Sequence, residues 1–171
     1  MQSQLNELDK KLNKLFANLE NYSTEQICKK PAPDSWSAIQ VMHHLILSEK
    51  YSRMYCEKKL SFNPKLKKAG FGTSLRTKFV NFYLNSPFKA PAPKMIDGDN
   101  LPTEDTLANV REIWTAERAN LAKFIQDLPP EYADKEIYKH PLGGRLSIDG
   151  MMQFFDAHFN NHEKQIYRAL K

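Results

Sequence analysis

Five histidines occur in the chain: His43, His44, His140, His158 and His162. His158 and His162 stand four apart in a stretch of helical periodicity, so both imidazoles project from one face, one turn apart. Two ring nitrogens so placed can reach one divalent ion at about 2.1 Å. HxxxH pairs are common on helices, and the plain alternative is a surface pair or a pair satisfied within the core. Phe155, Phe159 and Ile166 lie within a turn and put this pair beside the apolar stripe. A buried imidazole there needs a partner, because an unpaired polar group in a core costs about 1–3 kcal/mol. A third histidine from a facing helix would supply one, as in the metal sites of helical bundles. His43 and His44 are both available. His44 lies with Val41, Ser48 and Tyr55, and His43 with Ile39, Met42, Ile46 and Lys50, so periodicity leaves the choice open.

Other groups could assist. Glu49, five residues beyond His44, is a candidate general acid or base, with a solvated helix charge as the alternative reading. Asp156 precedes His158 by two residues and points about 160° away from it. Asn161 and Gln165 could orient an imidazole from behind. Trp36, Phe155, Phe159 and Trp114 are candidate walls of a partly apolar pocket. His140 is expected to shape the turn before Pro141. Cys28 is expected in a loop and Cys56 well past Glu49, so neither is placed as a nucleophile; a reacting thiol would come from a substrate.

The elements that must position these groups are helices. Leu5, Leu8, Leu12, Leu15, Phe16 and Leu19 recur every three or four residues. A second helix is expected from about Ser37 to Leu60, after Pro31 and Pro33. A third is expected from Thr103 as N-cap, with Glu104 and Asp105 in the acidic first turn, and Pro129-Pro130 stops it. The fourth follows Gly143-Gly144, is capped by Ser147, and runs through Met151, Phe155 and Ile166 to the C-terminus. Between the second and third lie some forty residues, helical over 73–85 and then extended through the Pro-rich SPFKAPAPK. No alternating strand pattern with hairpin turns appears anywhere in the sequence. The prediction is all-α: a four-helix bundle with a long crossover between helices two and three.

Size and composition narrow the class. The 171 residues make one domain, 1–171, with enough chain to bury a core. Hydrophobic residues at 41% and charged residues at 26% argue against disorder. A mean hydropathy of -0.62 and the lack of a long apolar run predict no membrane span, and with no secretory pattern at the N-terminus the expected location is cytoplasmic. The net charge of +5 is uneven: Lys50 to Lys94 carry eleven bases against one acid, Glu57, leaving the remainder at −5. Tyr51, Tyr55, Phe62, Phe71, Phe79, Phe82, Tyr83 and Phe88 interleave these bases. Such a segment is either an anion-binding or membrane-contacting surface, or a solvated connection whose aromatics tuck onto the core. No recognition motif accompanies the charge, so no nucleic-acid partner is expected. A homodimer is expected on the general ground that bundles pack through exposed apolar faces.

Three motifs resemble the DinB/YfiT-like superfamily of metal-binding four-helix bundles. Trp36-Ser37-Ala38-Ile39-Gln40-Val41-Met42-His43-His44-Leu45 is similar to its W-S-(x)6-H-L. His140-Pro141-Leu142-Gly143-Gly144-Arg145-Leu146-Ser147 is similar to its H-P-x-x-G-x-L-[ST] lead-in to the last helix. His158-Phe159-Asn160-Asn161-His162-Glu163-Lys164-Gln165-Ile166 is similar to its closing H-x-x-x-H-x-x-Q-I. Their order and separation also match, although residues 60–100 carry no family motif. The resemblance implies His44, not His43, as the partner of His158 and His162 in a three-histidine site for zinc or nickel. It further implies transfer of a low-molecular-weight thiol to a small electrophile. The alternatives are a metal-dependent hydrolase using activated water, and a non-catalytic, stress-related module in which metal only staples helices two and four.

Overall fold

The leucine spacing near the N-terminus makes one buried face of α1 (Gln2–Leu19), where Leu5, Leu8, Leu12, Leu15, Phe16 and Leu19 all leave solvent. The computed structural model that places them describes residues 1–84 and 96–171. Three further long helices complete the frame: α3 (Ala38–Leu60), α5 (Leu107–Gln126) and α6 (Ile148–Ala169). Two shorter ones are α2 (Thr24–Cys28) and α4 (Phe71–Leu84). Among the described residues the protein is all-α apart from one small hairpin and one isolated bridge between Lys68 and Lys135.

Caps decide where the helices begin. The Ser37 hydroxyl accepts the Gln40 N–H while the Gln40 side chain accepts the Ser37 N–H, which opens α3 at Ala38. Ser147 accepts the Gly150 N–H and opens α6. α5 starts later than expected, at Leu107 with Thr106 as its cap, because the Thr106 hydroxyl accepts the Asn109 N–H. Asp105 therefore stands outside the helix and bonds the Thr106 N–H and the Asn109 side chain. Cys28 closes α2 instead of lying in a loop, since Ser23 and Gln26 form a second reciprocal cap.

Cross-helix contacts fix the directions. Gln4–Asp149 and Asn18–Tyr167 run α1 parallel to α6. His43–Asp105 and Arg53–Glu117 run α3 parallel to α5. His44–His158 and Cys56–Met151 run α3 antiparallel to α6. Consecutive long helices that are parallel need a return path, and α3 alone is about 35 Å long at 1.5 Å per residue. That explains the length of the crossover, of which α4 is part. The extended SPFKAPAPK expected after it lies outside the described residues, as do Phe88, Lys89 and Lys94.

The buried faces of α1, α3, α5 and α6 pack as two apolar clusters, one around Phe155, Met151 and Leu121 and one around Trp114, Phe159 and Phe16. Arg53 with Glu117, and Arg118 with Glu49, join α3 to α5 as buried ion pairs. Four aromatics of the basic segment do not tuck onto the core: Phe62, Phe71, Phe79 and Phe82 are exposed. On α4 the inward face belongs to Thr73, Thr77 and Val80, about half a turn from Phe71, Phe79 and Phe82.

The hairpin pairs β1 (Tyr138–His140) with β2 (Gly144–Leu146), antiparallel, Lys139 opposite Arg145. Three-residue strands are too short to show alternation, which is why the sequence pattern did not predict them. Among the described residues, no helix is long and apolar enough to cross a membrane.

Candidate metal centre

The antiparallel crossing of α3 and α6 brings the N-terminal half of one against the C-terminal half of the other. His44 thereby meets His158 and His162. Their ring centroids lie 5.1 Å (His44–His158), 4.8 Å (His44–His162) and 4.5 Å (His158–His162) apart. One nitrogen from each falls within 4.8 Å of the others, so the trio could hold a metal ion. The Nε2 atoms of His44 and His158 are separated by 3.2 Å, close to the roughly 3.3 Å between two nitrogens on a tetrahedral ion at 2.0–2.1 Å.

The surroundings choose the tautomers. His44 Nδ1 donates to the Ile96 carbonyl at 2.9 Å, and His162 Nδ1 to the Gln165 side-chain oxygen at 2.8 Å. Each bond leaves an Nε2 lone pair, which is what a cation requires. Burial also keeps the rings neutral. It lowers His44 from its ordinary 6.5, against the opposing pull of the Ile96 carbonyl and the Asp97 charge. It lowers His158 further, with His162, His44 and His140 adding to the effect, and it takes His162 down to about 3. Neutral imidazoles whose ring nitrogens converge fit a divalent transition metal.

The other sequence candidates are distributed differently. His43 turns away to Asp105, Nε2 to Oδ2 2.9 Å. His140 accepts the Leu142 and Gly143 N–H groups at Nδ1 and so closes the hairpin turn. Glu49 is neither solvated nor in the cluster. Its oxygens accept from Arg118 Nε at 2.6 Å, Arg118 Nη2 at 2.9 Å and the Trp114 indole at 3.3 Å. Asp156 bonds Lys11 and Asn160. The Asn161 side chain makes no hydrogen bond among the described residues, whereas that of Gln165 accepts from His162. Trp36 does stand beside the cluster, its ring 5.0 Å from that of His44. Phe155, Phe159 and Trp114 are instead core side chains, each at most 1% exposed.

Two neighbours of the site were not anticipated. Phe154, not Phe155, stacks on His158 at 5.0 Å and 22°. Its spacing of four from His158 and eight from His162 was the available signal. The Ile96 carbonyl left none, since every residue has one.

The sequence model of the DinB superfamily matches residues 4–166 of the chain. No curated protein and no solved structure matches it.

Proposed function

Because the chain belongs to the DinB superfamily and its histidines converge, we propose that it is a metal-dependent enzyme joining a low-molecular-weight thiol to a small electrophile. His44, His158 and His162 hold one divalent ion, zinc or nickel. The observation that carries this reading is the donor set: three neutral imidazoles, with no carboxylate or thiol among the described residues of the cluster. An ion bound by neutral ligands keeps its full charge and can hold a thiol as thiolate. Gln165 and the Ile96 carbonyl keep the Nε2 lone pairs directed inward. His162, the half-buried member, marks the approach for a small molecule. In the transfer, a sulfur–carbon bond forms as the acceptor's carbon–halogen or carbon–oxygen bond breaks. The thiol proton leaves to solvent with halide, or ends on the freed oxygen.

Glu49 is engaged by Arg118 and Trp114, so it cannot serve hydrolysis without breaking a buried ion pair. A structural staple is the second reading, favoured by the burial of His44 and His158 at 4% and 8% exposure. The test is turnover of a small thiol with an epoxide or alkyl halide, with and without metal. Turnover that needs metal and vanishes in a folded His158→Ala variant supports the enzyme. Metal that raises thermal stability without any turnover supports the staple.

A further inference from the structure

His44 owes its orientation to a backbone carbonyl in a turn that has no covalent reason to sit there. Residue 96 is 52 positions away along the chain. Something must hold that turn against α3, and three side-chain relationships do so. Gln40 lies one helical turn before His44 on the same face. Its amide nitrogen donates to the Gly98 carbonyl at 3.1 Å, while its oxygen already accepts the Ser37 N–H. The Trp36 indole then lies against Gly98, closely enough that a Cβ there would stand 2.4 Å from Nε1 and 3.0 Å from Cδ1. The same indole packs on the His44 ring. The turn itself closes through Asn100 N–H to the Asp97 carbonyl at 2.9 Å and Leu101 N–H to the Gly98 carbonyl at 3.3 Å.

We propose that Trp36, Gln40 and Gly98 form a clamp that positions His44 for its metal, by fixing the Ile96 carbonyl on His44 Nδ1. None of the three is a ligand; Gln40 and Gly98 act through the carbonyl, and Trp36 acts both through it and by packing on the His44 ring. Gly98 is required because only a residue without Cβ lets the backbone reach the indole. Gln40 is required because an amide both donates and accepts, so it caps α3 and grips the turn at once. The inference rests on the metal-centre reading for its consequence, and it adds one: metal binding and docking of the 96–101 turn are linked. By reciprocity, an ion that favours the oriented His44 also favours the docked turn.

The experiment uses the full chain, with zinc alone as the probe. In the metal-free protein near neutral pH, nitrogen NMR of the imidazoles reads the His44 tautomer directly. The wild type should show the proton on Nδ1, and Gly98→Ala should lose that preference. Zinc affinity in Gly98→Ala should fall about tenfold, the lower end of what loss of a ligand's orienting partner costs. Zinc added to the wild type should slow amide exchange at Asn100 and Leu101. Combining Trp36→Leu with Gly98→Ala makes room for the added methyl, so the double variant should bind no worse than Trp36→Leu alone. A merely structural glycine would not give that pattern. Should Gly98→Ala fail to fold, Gln40→Glu carries the test, since it keeps the acceptor for Ser37 and loses the donor to Gly98.

An unchanged His44 tautomer and unchanged zinc affinity in Gly98→Ala, or in Gln40→Glu where that variant carries the test, would overturn the clamp. A wild type that binds no zinc yet holds the Nδ1 proton in a clamp-dependent way overturns the metal reading and leaves the positioning of His44 standing.

Discussion

His44 and His158 meet Nε2 to Nε2 at 3.2 Å. With His44 Nδ1–H donating to the Ile96 carbonyl, its Nε2 carries a lone pair, so only an Nε2–H on His158 can make that contact a hydrogen bond without metal. A cation bound between the two rings must displace this proton. Adding zinc should therefore move the His158 proton from Nε2 to Nδ1, a switch that imidazole nitrogen shifts report. A His158 already protonated at Nδ1 before metal is added would contradict this.

The ligand assignment separates two adjacent residues. His44→Ala, His158→Ala and His162→Ala should each weaken zinc binding by about a hundredfold or more, since loss of a ligand's orienting partner alone costs about 10–100-fold. His43→Ala should leave it within about twofold, because His43 is engaged by Asp105 and no lone pair of it joins the cluster. Competition titration with a chromogenic chelator measures both. Loss of binding in His43→Ala with retention in His44→Ala would reverse the assignment.

Acid should destabilise the metal-free fold before it touches most carboxylates. Burial lowers His140 to about 4 and His162 to about 3, and it lowers His44 and His158 as well. Unfolding returns each to an ordinary value near 6.5, so below that pH the unfolded chain binds more protons than the folded one. Stability is thus full above about 6.5 and falls as pH drops toward 4 and 3, by up to about 1.4 kcal/mol per pH unit for each group titrating. Urea midpoints should be flat from about pH 8 to 6.5 and decline below. A flat profile down to about pH 5 would contradict the burial of these rings.

The Glu49–Arg118 pair is expected to be costly to break and cheap to replace. Glu49→Ala leaves the guanidinium buried, with Asp9 at 3.4 Å its one remaining carboxylate partner among the described residues, and takes away the acceptor of the Trp114 indole. The expected loss is about 3–5 kcal/mol by urea denaturation. A double substitution of Glu49 and Arg118 to apolar residues of similar volume should recover much of that. Equal losses in single and double variants would show that packing, not the charges, carries the effect.

Thiol titration should count one reactive cysteine in the folded chain. Cys56 is wholly buried against Met151, and burial pushes its thiol up to about 12. Cys28 is half-buried at the end of α2, its thiol directed at the Asp105 carbonyl. A disulfide reagent should modify Cys28 natively and Cys56 only in denaturant. Thiol-transfer activity that survives Cys28→Ser would agree with a thiol supplied by the substrate.

The four long helices were legible because each announces itself locally. The three-and-four spacing of α1, the Ser37–Gln40 and Ser147 caps, and Pro129-Pro130 after α5 act within a few residues of the boundary they set. Where two caps competed, the local signal misled. Thr103 is followed by two acids, yet Thr106 reaches Asn109, and Asp105 is drawn off toward His43. The hairpin carried no periodicity to read, and whether Phe71 and Phe82 tuck onto the core or face solvent was left open because side-chain type says nothing of which neighbour is present.

For the site, the sequence alone determined that His158 and His162 share a helix face, since 3.6 residues per turn leaves no other outcome for a spacing of four. It could not choose between His43 and His44 by periodicity, because neighbouring residues differ by only about 100° and either fits an amphipathic helix. Family resemblance pointed to His44. Tertiary structure decided where the rings go: the α3–α6 crossing brings His44 to the pair, while Asp105 holds His43. It also decided the tautomers of His44 and His162, through a carbonyl 52 residues away and a glutamine three residues on. A backbone oxygen has no residue type, so only the folded chain could show which one His44 would meet.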